Sequence, residues 1–192
     1  MPLNIPILLT WLRIILIPLL IAIYYVPESW VQFVGRDPAA TVVFVVAAVT
    51  DWLDGYLARR WQQTSAFGAF LDPVADKLMV AAALIVLVQL GRLDAILAAI
   101  IIGREITISA LREWMAQIGA HRSIAVSMIG KIKTTAQMMA IPFLLYHAPL
   151  KGLDVFQAGT WLIYVAAVLT LWSMGYYMRM AWPHLIEEDR KR

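Results

Sequence analysis

Six apolar stretches, at roughly 10–27, 39–60, 71–90, 94–116, 125–147 and 157–178, follow one another with only short breaks of Gly, Pro and charge between them. A helix rises about 1.5 Å per residue, so about 20 apolar residues are needed to cross a bilayer core of ~30 Å. Each stretch is close to that length. The expectation is an all-α integral membrane bundle of six transmembrane helices with short loops, its N- and C-termini cytoplasmic. Composition agrees: 61% of the 192 residues are hydrophobic and 15% charged, against about 45 to 50% apolar in a soluble domain. Six spans use up the chain, so residues 1–192 read as a single membrane domain.

The basic residues follow topology. With both termini inside, Arg13, Arg59, Arg60, Lys77, Arg122, Lys131, Lys133, Arg179, Arg190, Lys191 and Arg192 lie toward the cytoplasmic face, and Arg36, Arg92 and Lys151 lie opposite. That asymmetry fits the positive-inside rule. The net charge of +3 therefore reports membrane orientation; without a basic patch interleaved with aromatics, no nucleic-acid partner is expected. Trp30, Trp61, Trp161 and Trp182 fall near span ends, where amphipathic rings prefer the interface. The segment Leu3–Leu12 is read as interfacial, ahead of the first descending helix, and the first apolar segment is expected to persist rather than be removed as a signal peptide.

Against this background stand four aspartates, Asp51, Asp54, Asp72 and Asp76, in or beside two of the most apolar stretches. A carboxylate at mid-bilayer costs about 2.5 to 3.5 kcal/mol on insertion scales, so these groups need cationic partners. At helical spacing Asp51, Asp54, Gly55 and Ala58 share one face, as do Asp72 and Asp76. The short link from Trp61 to Phe70 is expected to make the second and third spans antiparallel neighbours and to gather all four acids at one end. Asp51 then lies roughly 15 Å from Trp61, a few turns inside the cytoplasmic boundary.

Cys is absent, and His121, His147 and His184 are dispersed, so the chemistry left is that of hard oxygen ligands. Carboxylates alone favour Mg²⁺, Mn²⁺ or Ca²⁺ over zinc. Four of them can hold two divalent cations, a pair suited to in-line displacement at phosphorus. Gly55 and Ala58 leave room for a bulky ligand against the helix backbone, although small residues also serve simple helix packing.

The complete pattern reads Asp51-x2-Asp54-Gly55-x2-Ala58-Arg59-x8-Gly68-x3-Asp72-x3-Asp76. It resembles the signature of the CDP-alcohol phosphotransferases, membrane enzymes that transfer a substituted phosphate from a CDP-linked donor to an alcohol, and all eight fixed positions match. The resemblance implies that Asp51, Asp54, Asp72 and Asp76 bind a pair of Mg²⁺ (or Mn²⁺) ions, with Asp76 also the catalytic general base. It further implies that Gly55, Ala58, Arg59 and Gly68 border the CDP moiety. Arg59 can neutralise pyrophosphate charge, the competing role being a positive-inside anchor. Thr10 and Arg13 are candidates to close the nucleotide side.

The acceptor is read from later spans. Arg104, Ile108 and Arg112 share a face of the fourth, with Glu105, Ser109 and Glu113 on an adjoining stripe. Intramembrane arginines should point inward, either toward an anionic ligand or into a structural ion network with partners such as Glu105. Lys131 and Lys133 open the fifth span. With NIPILLTWLR at 4–13 and GKIKTTAQM at 130–138, these segments resemble the bacterial phosphatidylglycerophosphate-forming branch of the family. That likeness implies CDP-diacylglycerol as donor, sn-glycerol 3-phosphate as acceptor, and a homodimer in the bacterial inner membrane with its active site toward the cytoplasm. Arg104, Arg112, Lys131 and Lys133 are the candidates for the acceptor phosphate, Lys133 and Arg112 foremost. The alternatives are another acceptor (inositol phosphate, serine or phosphatidylglycerol), an aspartate-rich intramembrane prenyltransferase, or a divalent-cation transporter.

Overall fold

Apolar side chains recurring without interruption drive each stretch into a helix whose backbone satisfies its own hydrogen bonds. The computed structural model describes residues 5–31, 33–61, 66–118, 128–150 and 152–191. Six α-helices account for most of them: α1 (Ile5–Ala22), α2 (Arg36–Trp61), α3 (Ala66–Gln89), α4 (Ala95–Gln117), α5 (Met128–Tyr146) and α6 (Val155–Lys191). Among the described residues there is no strand, only an isolated bridge between Leu150 and Leu153.

Several boundaries depart from expectation: α1 ends at Ala22 and α3 begins at Ala66, each five residues early, and two further departures have a visible cause. α1 is already helical at Ile5, so most of the segment read as interfacial belongs to the first helix. The reason is visible at Thr10 and Arg13, each only 1% exposed: their polar groups have partners inside the bundle, and the helix must run inward to deliver them. α6 continues to Lys191, well past the apolar run that defined it, because nothing in its polar tail breaks a helix and Pro183 is carried within it.

The core follows helical periodicity. Leu16, Leu20, Phe44, Ala83, Leu84, Leu87, Ile101, Ile141, Leu144 and Leu145 form one cluster. Ile108, Met115, Tyr177 and Ala181 form a second between α4 and α6. The outside is also apolar: Val42, Val45, Val49, Trp52, Ile85, Ile106, Trp161, Val168 and Trp172 are all exposed. Soluble proteins rarely show so much contiguous apolar surface. By length and composition two helices are apolar enough to cross a membrane, over Arg36–Leu57 and Val155–Pro183.

Packing order differs from the expected hairpin. α1 lies against both α2 and α3, which touch each other much less. The two aspartate pairs therefore meet across α1. α5 and α6 make the most extensive pairing, and Gly159 allows it: a Cβ there would come within 2.9 Å of Phe143 Cβ and 3.2 Å of the Ala140 carbonyl oxygen.

The end remote from the aspartates is tied by Arg92. Its Nη2 donates to Asp37 Oδ2 at 2.6 Å and its Nη1 to the Leu145 carbonyl at 2.8 Å, joining the start of α2 to the end of α5. Gly91, with φ +68°, supplies the left-handed residue of the preceding turn. Asp94 caps α4 by accepting from the Ile96 amide at 2.7 Å.

Candidate functional site

Asp51 and Asp54 stand on α2 three residues apart, and Asp72 and Asp76 on α3 four apart, spacings that put each pair on one helical face. Between them α1 inserts Arg13. Its Nη2 lies 2.6 Å from Asp54 Oδ2 and 3.1 Å from Asp51 Oδ1, and its Nη1 lies 2.6 Å from Asp76 Oδ1. One turn earlier Thr10 donates its hydroxyl to Asp72 Oδ1 at 2.5 Å. All four predicted aspartates are thus brought together, held by two residues of a single helix face.

Burial divides the cluster. Asp54 is nearly enclosed, whereas the side chains of Asp51 and Asp76 are each 37% exposed. Asp51 and Asp76 open onto a cavity of about 510 Å³. Its remaining polar walls are Lys77 from α3, Arg104, Glu105, Ser109 and Arg112 from α4, Lys133, Thr134 and Gln137 from α5, and Tyr177 from α6. The carboxylates and the cationic residues of α4 and α5 therefore face one space, although they are far apart in sequence.

The basic side is organised by Glu105. Its Oε1 pairs with Arg104 Nη1 at 2.5 Å and with Lys133 Nζ at 3.3 Å. Arg104 is 7% exposed and Lys133 only 1%, so one carboxylate compensates two buried cations. Arg112 lies nearer the opening, its guanidinium carbon 5.7 Å from the centre of the Tyr177 ring, within cation–π range. The Lys131 side chain lies outside the described residues, as do those of Ala58 and Arg59, although all three belong to helices. Gly55 is half-buried beside Asp54, and Gly68 is buried at the start of α3.

Thr10 and Arg13 are expected from the sequence on the nucleotide side, and the structure places both directly on the aspartates. Their spacing of three residues was the available signal. Sequence spacing offers Glu105 partners on its own helix, whereas its reach to Lys133 on α5 is a tertiary contact that spacing does not reveal. The only sequence signal at Gln137 is its place four residues, one helical turn, beyond Lys133.

The donor set fits hard divalent cations. Three carboxylates share one guanidinium and the fourth has a hydroxyl, so the contacts made by α1 leave a formal excess of three negative charges. Uncompensated charge of that size out of bulk water is costly. In this arrangement the acids close around Arg13, and no group of three or more acidic or histidine side chains among the described residues is spread to hold an ion by itself. Asp51, Asp54, Asp72 and Asp76 are the hard oxygen donors that α1 gathers in one place.

The chain is similar to known proteins along nearly its whole length. Residues 3–172 match the CDP-alcohol phosphatidyltransferase family. A protein of Escherichia coli (strain K12) named CDP-diacylglycerol–glycerol-3-phosphate 3-phosphatidyltransferase is 51% identical over 190 residues, covering 98% of this chain and 100% of the relative. Proteins of the same name from Shigella sonnei (strain Ss046) and Shigella flexneri serotype 5b (strain 8401) are 51% and 50% identical over the same shares. With a family match over most of the chain and relatives aligned along their whole length, the chain belongs to the CDP-alcohol phosphatidyltransferase family.

Proposed function

We propose that this protein transfers the phosphatidyl group of CDP-diacylglycerol to sn-glycerol 3-phosphate, giving phosphatidylglycerophosphate and CMP. The observation that carries the reading is that Asp51 and Asp76 line one cavity together with Arg104, Arg112 and Lys133. A reaction between a diphosphate-linked donor and a phosphorylated alcohol needs both an acidic, metal-binding side and a cationic side within reach of one substrate. The whole-length identity to relatives named for this reaction supports the same choice of acceptor.

In this reading the acceptor phosphate rests against Lys133, Arg104 and Arg112, and competes with Glu105 for the first two. Its C1 hydroxyl is directed at Asp76, whose carboxylate takes the proton as the oxygen attacks the β-phosphorus. The bond from that phosphorus to the CMP oxygen breaks, and CMP leaves with the electron pair. Divalent cations held by the aspartates, Mg²⁺ or Mn²⁺, neutralise phosphate charge when bound. Gly55, Ala58, Arg59 and Gly68 border the cytidine diphosphate. The acyl chains remain in lipid alongside the exposed apolar flank of α2.

The membrane reading extends to all six helices, with both termini and the aspartate end cytoplasmic, in the inner membrane of a bacterial cell. Exposed apolar side chains on α1 through α6 support it, as does the segregation of Arg36 and Arg92 to the end remote from the aspartates. Pairing of two chains rests on the family likeness. The test is CMP release by the purified protein in detergent with CDP-diacylglycerol and a panel of acceptors: glycerol 3-phosphate, inositol phosphate, serine and phosphatidylglycerol. Turnover is expected with glycerol 3-phosphate and is lost in EDTA; a preference for another acceptor, or metal transport without CMP release, overturns the proposal.

A further inference from the structure

Gln137 is 4% exposed, lines the cavity, and has a buried Oε1 without a hydrogen-bond partner among the described residues. An amide oxygen left in that state costs about 1 to 3 kcal/mol, so such atoms in functional cavities are candidates for a ligand's donor. α5 places it one turn beyond Lys133 on the same face, a rise of about 6 Å along the axis. That separation is comparable to the length of a three-carbon phosphorylated alcohol. Asp76 lines the same cavity.

Resting on the reaction proposed above, the acceptor has its phosphate engaged by Lys133 and its neighbours and its C1 hydroxyl by Asp76. One donor is left on it, the secondary hydroxyl at C2, between those two ends. We infer that Gln137 is a specificity-determining residue, whose Oε1 accepts a hydrogen bond from the C2 hydroxyl of the acceptor. Lys133 then recognises that an acceptor is phosphorylated, and Gln137 recognises that it is a glycerol. A site built to pair a substrate hydroxyl rejects the analogue lacking it, because its own buried polar group is left unpartnered.

The test compares sn-glycerol 3-phosphate with 3-hydroxypropyl phosphate, the same chain without the C2 hydroxyl, by CMP release at saturating CDP-diacylglycerol. The parent protein is expected to favour glycerol 3-phosphate in kcat/KM by at least about tenfold. Gln137→Met, which keeps the length of the side chain but has no amide, is expected to bring that ratio within about twofold of unity, with the KM for CDP-diacylglycerol unchanged. Gln137→Asn withdraws the carbonyl by one methylene and serves as a second variant should the first fail to fold; it is expected to lower the ratio as well. A variant that loses activity equally toward both acceptors and keeps the parent's ratio overturns the inference, since that is what a packing role produces. A parent that uses both acceptors equally well overturns it without any variant. Absence of CMP release from the parent with either acceptor overturns the reaction itself and the inference with it.

Discussion

Arg13 contacts three aspartates with one guanidinium, and two opposed consequences follow. It draws the acids together, and it stands among them where further positive charge is needed. Removing one partner of a buried ion pair typically costs about 3 to 5 kcal/mol, because the remaining charge is left uncompensated. Arg13→Ala is therefore expected to lower the thermal unfolding midpoint in EDTA, and added Mg²⁺ is expected to raise it again by more than it raises the parent's. An equal rise in parent and variant would show that Arg13 does not compete with the cation, and no rise in either would show that the aspartates hold none. Asp76 differs from Asp54 in opening onto the cavity, the position required of a base that meets substrate. Asp76→Asn keeps the shape and removes the proton acceptor, so turnover is expected to fall by about 10² to 10⁴-fold while CDP-diacylglycerol binding persists. Residual activity near the parent's would remove Asp76 from that role.

Each helix existed in the sequence as an apolar run, because burial and lipid exposure both reward the same residue types; the neighbours each helix would choose were not written there. The short link from Trp61 to Phe70 suggested direct pairing of α2 and α3, yet α1 holds the place between them because Thr10 and Arg13 find their partners on both. The aspartate positions were legible from spacing alone, since carboxylates three and four residues apart must share a face. Glu105 and Gln137 were not, since their significance depends on α4 and α5 facing the same cavity. The pairing of α5 with α6 sets the position of Lys133 and Gln137, and Gly159 is a point of close contact within it. Gly159→Val forces a branched side chain into Phe143, Leu144 and the Ala140 carbonyl. Overpacking of this kind costs about 1 to 3 kcal/mol, read as a lower unfolding midpoint in detergent. Because α5 must shift to relieve it, the KM for glycerol 3-phosphate is expected to rise more than that for CDP-diacylglycerol. A rise confined to the donor would place the acceptor elsewhere.

On the scale of the whole molecule the two ends of the bundle are chemically distinct. One gathers the aspartates with the cations of α4 and α5. The other is closed by Arg92 bridging Asp37 to the carbonyl of Leu145, with Arg36 donating to the Val26 carbonyl. Charge at both ends and apolar surface between them is the pattern of a spanning bundle, and the proposed cytoplasmic placement of the aspartate end follows from the positive-inside rule. The absence of cysteine in the chain makes this orientation directly measurable, since any single introduced thiol is the only one present. Phe33, fully exposed in the link between α1 and α2, and Arg60, exposed near the end of α2, lie at opposite ends of α2. With helix residues 36–60 rising about 1.5 Å each, they are separated by more than the ~30 Å hydrocarbon thickness. In right-side-out membrane vesicles an impermeant maleimide is expected to label Phe33→Cys at once and Arg60→Cys only after permeabilisation. The reverse pattern would put the aspartates on the outer face, away from cytoplasmic glycerol phosphates and nucleotide-activated lipid headgroups. Labelling of both from one side would mean that α2 does not cross, and would exclude the six-helix arrangement.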